Sequence, residues 1–159
     1  MVERPVVSNT TPLIVLAGIG HLWLLPDLYG EIWVAESVRA EFAARPAMQD
    51  PDLDQLPWLH VQAVVEPTLP LPQLDQGEAD TIRLALALQA RVILLDERLG
   101  RRVARDLALP VAGSLAVLLR ARQQGLIPAV APLLDEMVAQ GRYLSAALRR
   151  QVLIAAGET

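Results

Sequence analysis

The chain has 159 residues, 53% of them hydrophobic, a formal net charge of −4 and no cysteine. That apolar content excludes a disordered polymer, and the acidic balance excludes an overall basic field drawing the protein onto nucleic acid. Without cysteine there are no disulfides and no thiolate metal sites, which fits a reducing, cytoplasmic setting.

The length suits a single domain over residues 1–159. The hydrophobic share exceeds the usual ~45–50%, and the excess suggests a surface for a partner or a second copy. All fourteen basic residues are arginine. Glu3 lies where a signal peptide would carry a basic n-region, so no secretory signal is expected. The apolar stretch Leu13–Leu25 contains Gly18, Gly20 and His21 and stops at Pro26, too short to span a bilayer.

In chain order, Pro5–Asn9 reads as a short buried strand, and Pro12 suits the first turn of a helix carrying Leu13, Ile14, Leu16 and Ala17. Gly18 and Gly20 break that helix, and a short apolar segment ends at Pro26. Glu31–Ala35 is a second strand. Ser37 is placed to cap a helix running to about Ala44, with Val38 and Phe42 on one face and Glu41 one turn in. Arg45–Trp58 is a loop rich in Pro, Asp and Gln. His60–Val64 is a third, weaker strand, and Glu66–Gln73, with three prolines, is an extended connector.

Asp75 opens the next helix by accepting an N–H of its first turn. Ala79, Ile82, Leu84, Ala85 and Leu88 form its apolar face. Val92–Leu95 is a continuous apolar run, as in a strand buried on both faces of a parallel sheet. After Asp96 a helix points Leu99, Val103 and Leu107 inward and Arg98, Arg101, Arg102 and Arg105 outward. Leu109–Ala112 is a fifth strand. Gly113 and Ser114 open a helix through Gln124 that Gly125 ends. Helices near Ala129–Gln140 and Ser145–Ala156 close the chain. Strands alternating with helices predict a three-layer α/β/α domain with a mostly parallel five-stranded sheet.

Distances along this pattern locate a site. Glu78 to Gln89 covers roughly 17 Å of helix at ~1.5 Å per residue, and Arg91 to Asp96 roughly 17 Å of strand at ~3.3 Å per residue. Glu78 and Asp96 therefore finish at one end of the layer, the carboxyl edge where open α/β folds bind ligands. Asn9 ends the first strand at that edge, and Glu41 and Glu78 lie near the starts of helices that leave it. Oxygen ligands from a few carboxylates suit Mg²⁺ or Mn²⁺.

Five segments carry a family resemblance: VVSNTTPLIVLAGIGHLWLL, VAESVRAEF, LDQGEADTIRLALAL, VILLDERLGRRVA and VAGSLAVLLRARQQGLI. They resemble, in this order and over almost the whole chain, the PIN domain of the VapC-like ribonuclease superfamily, in a branch catalogued as a domain of unknown function. The resemblance implies sheet order 3-2-1-4-5. It carries the family's acids onto Asn9, Glu41, Glu78 and Asp96 as metal ligands, with Glu41, Glu78 and Asp96 catalytic and Thr11 and Ser114 supporting. It implies a Mg²⁺- or Mn²⁺-dependent endoribonuclease, the toxin of a toxin–antitoxin pair, that hydrolyses RNA with a metal-activated water. The partners implied are RNA, contacted by Arg98, Arg101 and Arg102, a small antitoxin protein, and a second copy in a homodimer.

Asn9 departs from the family's usual Asp: it keeps a carbonyl oxygen and loses a negative charge. A second reading follows, in which the domain is catalytically weak or silent and acts by binding RNA or protein. A phosphatase-like enzyme with an aspartyl nucleophile is weaker, because no Asp ends the first strand. Each residue also has a plain alternative. Glu78 completes a capping box with Asp75, Asp96 caps the helix that follows it, Glu41 is a solvated helix position, Asn9 is a turn residue, and the arginines are a solvated face.

Overall fold

The computed structural model describes residues 3–45, 50–65 and 68–158. Five parallel strands form one sheet in the order β3-β2-β1-β4-β5. β1 (Val6–Ser8) lies at the centre, pairing with β2 (Ile32–Ala35) on one side and β4 (Val92–Leu94) on the other. β3 (Leu59–Gln62) and β5 (Val111–Ala112) form the edges. Val6, Val7, Ile93, Leu94 and Leu95 are all fully buried. This explains their unbroken apolar runs, because a parallel sheet is covered on both faces.

The helices supply that cover. α1 (Thr10–Gly18) leaves β1 and holds Pro12 in its first turn, where a missing N–H costs no helical bond. The apolar segment expected to stop at Pro26 is in fact α2 (Leu24–Tyr29), in which Pro26 again occupies the first turn and Gly30 ends the helix at φ 79. α3 (Glu36–Ala43) starts before Ser37, so the expected cap falls inside the helix. Its hydroxyl donates to Asp80 Oδ2 at 2.7 Å instead. The following loop includes a 3₁₀ turn at Leu53–Gln55, held by the Asp52 carboxylate. Residues 46–49 of that loop and Glu66 and Pro67 of the proline-rich connector lie outside the described residues.

α4 (Gln76–Leu88) is capped by Asp75, whose Oδ1 accepts the Glu78 N–H at 2.8 Å. It buries Ala79, Ile82, Leu84 and Ala85 over β1, β2 and β4. The chain reverses at Gln89 in a left-handed conformation (φ 52), with the Ala90 N–H donating to Ala85 O at 2.9 Å.

α5 (Arg98–Asp106) differs in phase from its expectation. Gly100, Val103 and Ala104 face inward; Leu99 is 46% exposed and Arg101 is half-buried. The cause is Gly100: a Cβ there would stand 3.1 Å from the Leu95 side chain. Its bare Cα lets the helix sit close on the end of β4, and the i, i+3, i+4 positions from 100 turn inward with it.

α6 (Ser114–Gln123) packs on β5 and meets α1, α2 and α8. α7 (Ala131–Ala139) and α8 (Ala146–Ala155) are shorter at both ends than the periodicity suggested. Ser145 caps α8 through the Leu148 N–H at 3.1 Å. Glu158 reaches back to accept the N–H groups of Val130 and Ala131 at 2.7 and 3.0 Å, closing the start of α7. Among the described residues no helix is long and apolar enough to cross a membrane.

Truncating a buried side chain of β4, the neighbour of the central strand, tests this packing. Leu94→Ala, at a fully buried position, is expected to lower the unfolding free energy by about 2–5 kcal/mol. Leu86→Ala, at a 36% exposed position, is expected to cost about 0.5 kcal/mol. Urea titration followed by circular dichroism checks both.

Candidate active site

Parallel pairing sets the edge on which the site is built. Ser8 pairs with Leu94 in register, and the Asn9 N–H donates to Leu94 O at 2.9 Å. This fixes Asn9 beside the chain that continues from β4 into Asp96. Asn9 precedes α1, yet its side chain makes no capping hydrogen bond. It is buried, 3% exposed, with Oδ1 at 3.3 Å from the Thr81 hydroxyl, which also bonds to Gly77 O at 2.7 Å. The turn-residue reading therefore does not describe its side chain.

Glu41 approaches the same place from α3. The residue is exposed, but its Oε2 turns back to accept the Thr10 hydroxyl at 3.0 Å. Gly77, in the first turn of α4, is what allows the approach. A Cβ there would stand 2.7 Å from Glu41 Oε2 and 3.6 Å from both Asn9 Oδ1 and Asp75 Oδ1. Oxygens from the end of β1, from α3 and from the cap of α4 thus surround one bare Cα.

Asp96 sits one step beyond the last residue of the buried run. The helix after it is preceded by Glu97 at the cap position, so Asp96 does not cap that helix. It closes the start of α6 instead: Oδ1 accepts the Ser114 N–H at 2.6 Å and Oδ2 accepts the Ser114 hydroxyl at 2.5 Å. Bonds to an ionised acceptor are strong and directional, so Ser114 orients this carboxylate on both oxygens. Gly113 repeats the device seen at Gly77, since a Cβ there would stand 2.8 Å from Asp96 Oδ1.

Glu78 is half-buried beside Asp75 and Glu97. Burial above all, then the charge of Asp75, then that of Glu97, raises its pKa above the ordinary 4.5. Thr11, expected to steady the first position, reaches Glu97 Oε1 at 3.4 Å, while the hydroxyl beside the Asn9 side chain belongs to Thr81. Arg98 and Arg102 are exposed; Arg101 is half-buried and turns toward Gly113.

The edge therefore holds three groupings. Asn9, Glu41 and Asp75 meet around Gly77; Glu78 lies among Asp75 and Glu97; Asp96 is held by Ser114. Among the described residues no three His, Cys, Asp or Glu side chains stand close enough together, in these rotamers, to hold a metal. The donor set nonetheless fits a hard divalent ion: carboxylate and amide oxygens, with a carboxylate oxygen lying against each of two glycines where a Cβ would have no room. Sequence reasoning missed Asp75 as more than a cap, and it missed Glu97, Thr10 and Thr81. Signals existed in the adjacent pair Asp96-Glu97 and in Thr81, a polar residue on the buried face of α4.

The raised pKa of Glu78 has a signed consequence. The folded state binds this proton more tightly than the unfolded chain does. Glu78 therefore destabilises the metal-free fold above its folded pKa, and the penalty vanishes below its unfolded value. In chelator at neutral pH, Glu78→Gln is expected to melt higher than the parent. The gap should close as pH falls through the carboxylate range. Melts of both proteins in chelator across a pH series check this.

A family model described as a PIN domain matches residues 5–158. No curated protein and no solved structure matches the chain significantly. PIN domains are typically nucleases and generally depend on a divalent metal ion. The matching span takes in Asn9, Glu41, Glu78 and Asp96, and the all-parallel order β3-β2-β1-β4-β5 is the one the resemblance implied. The chain belongs to the PIN domain family.

Proposed function

We propose that this protein is a Mg²⁺- or Mn²⁺-dependent endoribonuclease that acts in the cytoplasm as the toxin of a toxin–antitoxin pair. The observation that carries the reading is the crowding of oxygens around Gly77, where Glu41 and Asn9 from separate elements come within 2.7 and 3.6 Å of the position a Cβ would take. Asp75 Oδ1 lies 3.6 Å from the same point, and bringing its carboxylate toward that of Glu41 sets like charges against each other, which a cation between them would offset.

In this reading Asn9, Glu41, Glu78 and Asp96 hold the ion or ions. When bound, a divalent ion supplies a water acidified enough to attack a phosphodiester near neutral pH. Asn9 contributes a neutral oxygen from a backbone position fixed by β4. Thr10 keeps Glu41 turned inward, and Ser114 keeps Asp96 from rotating away. Glu78, with its raised pKa, is the acid most easily left protonated without metal. In this reading Arg101, which turns toward Gly113, and the exposed Arg98 and Arg102 of α5 meet the RNA backbone.

The protein partner proposed is a small antitoxin or a second copy of the chain. Exposed apolar side chains on and between the closing helices support it: Val138 at 50%, Tyr143 at 91%, Leu148 at 40% and Ile154 at 58%.

One observation favours a second reading. Asn9 removes a charge, and the carboxylates in these rotamers form no cluster ready for metal among the described residues. The second reading is a PIN domain of weak or silent chemistry that acts by binding RNA or protein. Two substitutions separate them. Asp96→Asn is expected to abolish Mn²⁺-dependent cleavage of single-stranded RNA in the first reading, whereas in the second there is no cleavage to lose.

Asn9→Asp is expected to strengthen metal binding. Two unit charges ~4 Å apart interact by about 4 kcal/mol at an effective dielectric of ~20. Desolvation and repulsion from Glu41 offset most of that gain. A net ~1.4 kcal/mol would still tighten Mn²⁺ binding about tenfold. The variant should melt lower than the parent in chelator and gain more from Mn²⁺. Melts across a Mn²⁺ series check this, and equal gains would remove Asn9 from the ligand set.

A further inference from the structure

Arg101 differs from every other arginine at this edge. It stands in α5 four residues after Glu97, to whose carbonyl its N–H donates at 2.9 Å. Its side chain is half-buried, and its Nε is buried without a hydrogen-bond partner among the described residues. Its Nη1 lies 3.2 Å from where a Gly113 Cβ would stand, and Asp96 Oδ1 lies 2.8 Å from the same point. Guanidinium and carboxylate thus flank one bare Cα, yet among the described residues Arg101 closes no ion pair with Asp96 or any other acid. The two Asp96 oxygens each accept a hydrogen bond from Ser114.

A buried guanidinium N–H left unpaired is costly. It is accounted for if Arg101 is held in reserve for an anion. We propose that Arg101 is the phosphate-binding group of the site, taking the non-bridging oxygens of the RNA phosphodiester that lies against Asp96. This rests on the nuclease reading and separates Arg101 from Arg98 and Arg102, whose exposure suits looser contact with flanking backbone. The planar fork of arginine matches two phosphate oxygens at once, which a lysine ammonium does not. Gly113 is part of the same device, because a Cβ would intrude on both Arg101 Nη1 and Asp96 Oδ1.

The test uses the full chain with Arg101→Met, Arg101→Lys, Gly113→Ala and, as control, Arg105→Met, an exposed position on the same helix outside the RNA-binding set. The first readout is metal-free: the melting temperature in chelator against inorganic phosphate. The parent and Arg105→Met should be stabilised by phosphate, Arg101→Met and Gly113→Ala should not, and Arg101→Lys should fall between. The second readout is single-turnover cleavage of saturating single-stranded RNA with Mn²⁺. There Arg101→Met should lose about a hundredfold in rate and Arg105→Met less than about threefold, with the Mn²⁺-induced melting shift unchanged in both. Phosphate stabilisation that survives Arg101→Met overturns the proposal. So does an Arg101→Met protein that loses its Mn²⁺ shift, since Arg101 would then serve only to hold Asp96. A parent that cleaves no RNA overturns the nuclease reading, and the phosphate melts still decide whether Arg101 binds phosphate.

Discussion

The arrangement depends on the parallel pairing of β1 with β4. These strands are adjacent in the sheet although the whole of β2, α3, β3 and α4 lies between them in the chain. One hydrogen bond past the last residue of β1, from the Asn9 N–H to Leu94 O, carries the register beyond the sheet. It brings the first polar residue after each strand, Asn9 and Asp96, to one edge. The strands are short, β1 is wholly buried and β4 is buried but for half-buried Val92, so sliding them by one residue would place Asn9 or Asp96 among apolar side chains. The core thereby fixes the spacing of the site.

Once gathered, the acids must be kept apart from one another and from the core. Three of them have their own hydroxyl donor: Thr10 for Glu41, Ser114 for Asp96, Thr11 for Glu97. Two glycines, Gly77 and Gly113, stand where a methyl group would press on a carboxylate oxygen. Glu78 has no such donor among the described hydrogen bonds, and burial, with the charges of Asp75 and Glu97 beside it, raises its pKa. The edge thus stores unfavourable electrostatics that a cation can relieve.

Much of this was legible in the sequence. The strand read at Pro5–Asn9, the apolar run at Val92–Leu95, and the Asp75 cap before α4 were read directly because strand burial and capping are local. The placement of Glu78 and Asp96 at one edge followed from helix and strand rise alone. What escaped reading was decided by tertiary contact. Pro26 looked like a stop but fits the first turn of α2. The phase of α5 turned on the fit of Gly100 against Leu95, which exposed Leu99 and drew Arg101 inward. Ser37 looked like a cap but bonds Asp80 on another helix. Neither Thr81 beside Asn9 nor Asp96 at the start of α6 could be found from spacing, because each pair is far apart in the chain.

The central claim is that Asn9, Glu41, Glu78 and Asp96 form a divalent-metal site despite the missing charge at Asn9. It is tested most directly by anomalous diffraction from crystals of the protein soaked in Mn²⁺. The account predicts an anomalous peak at the carboxyl edge, in direct contact with at least one carboxylate of this set and with Asn9 Oδ1. Manganese confined to other surface acids, with the Asp96 carboxylate still bonded only to Ser114, would contradict it.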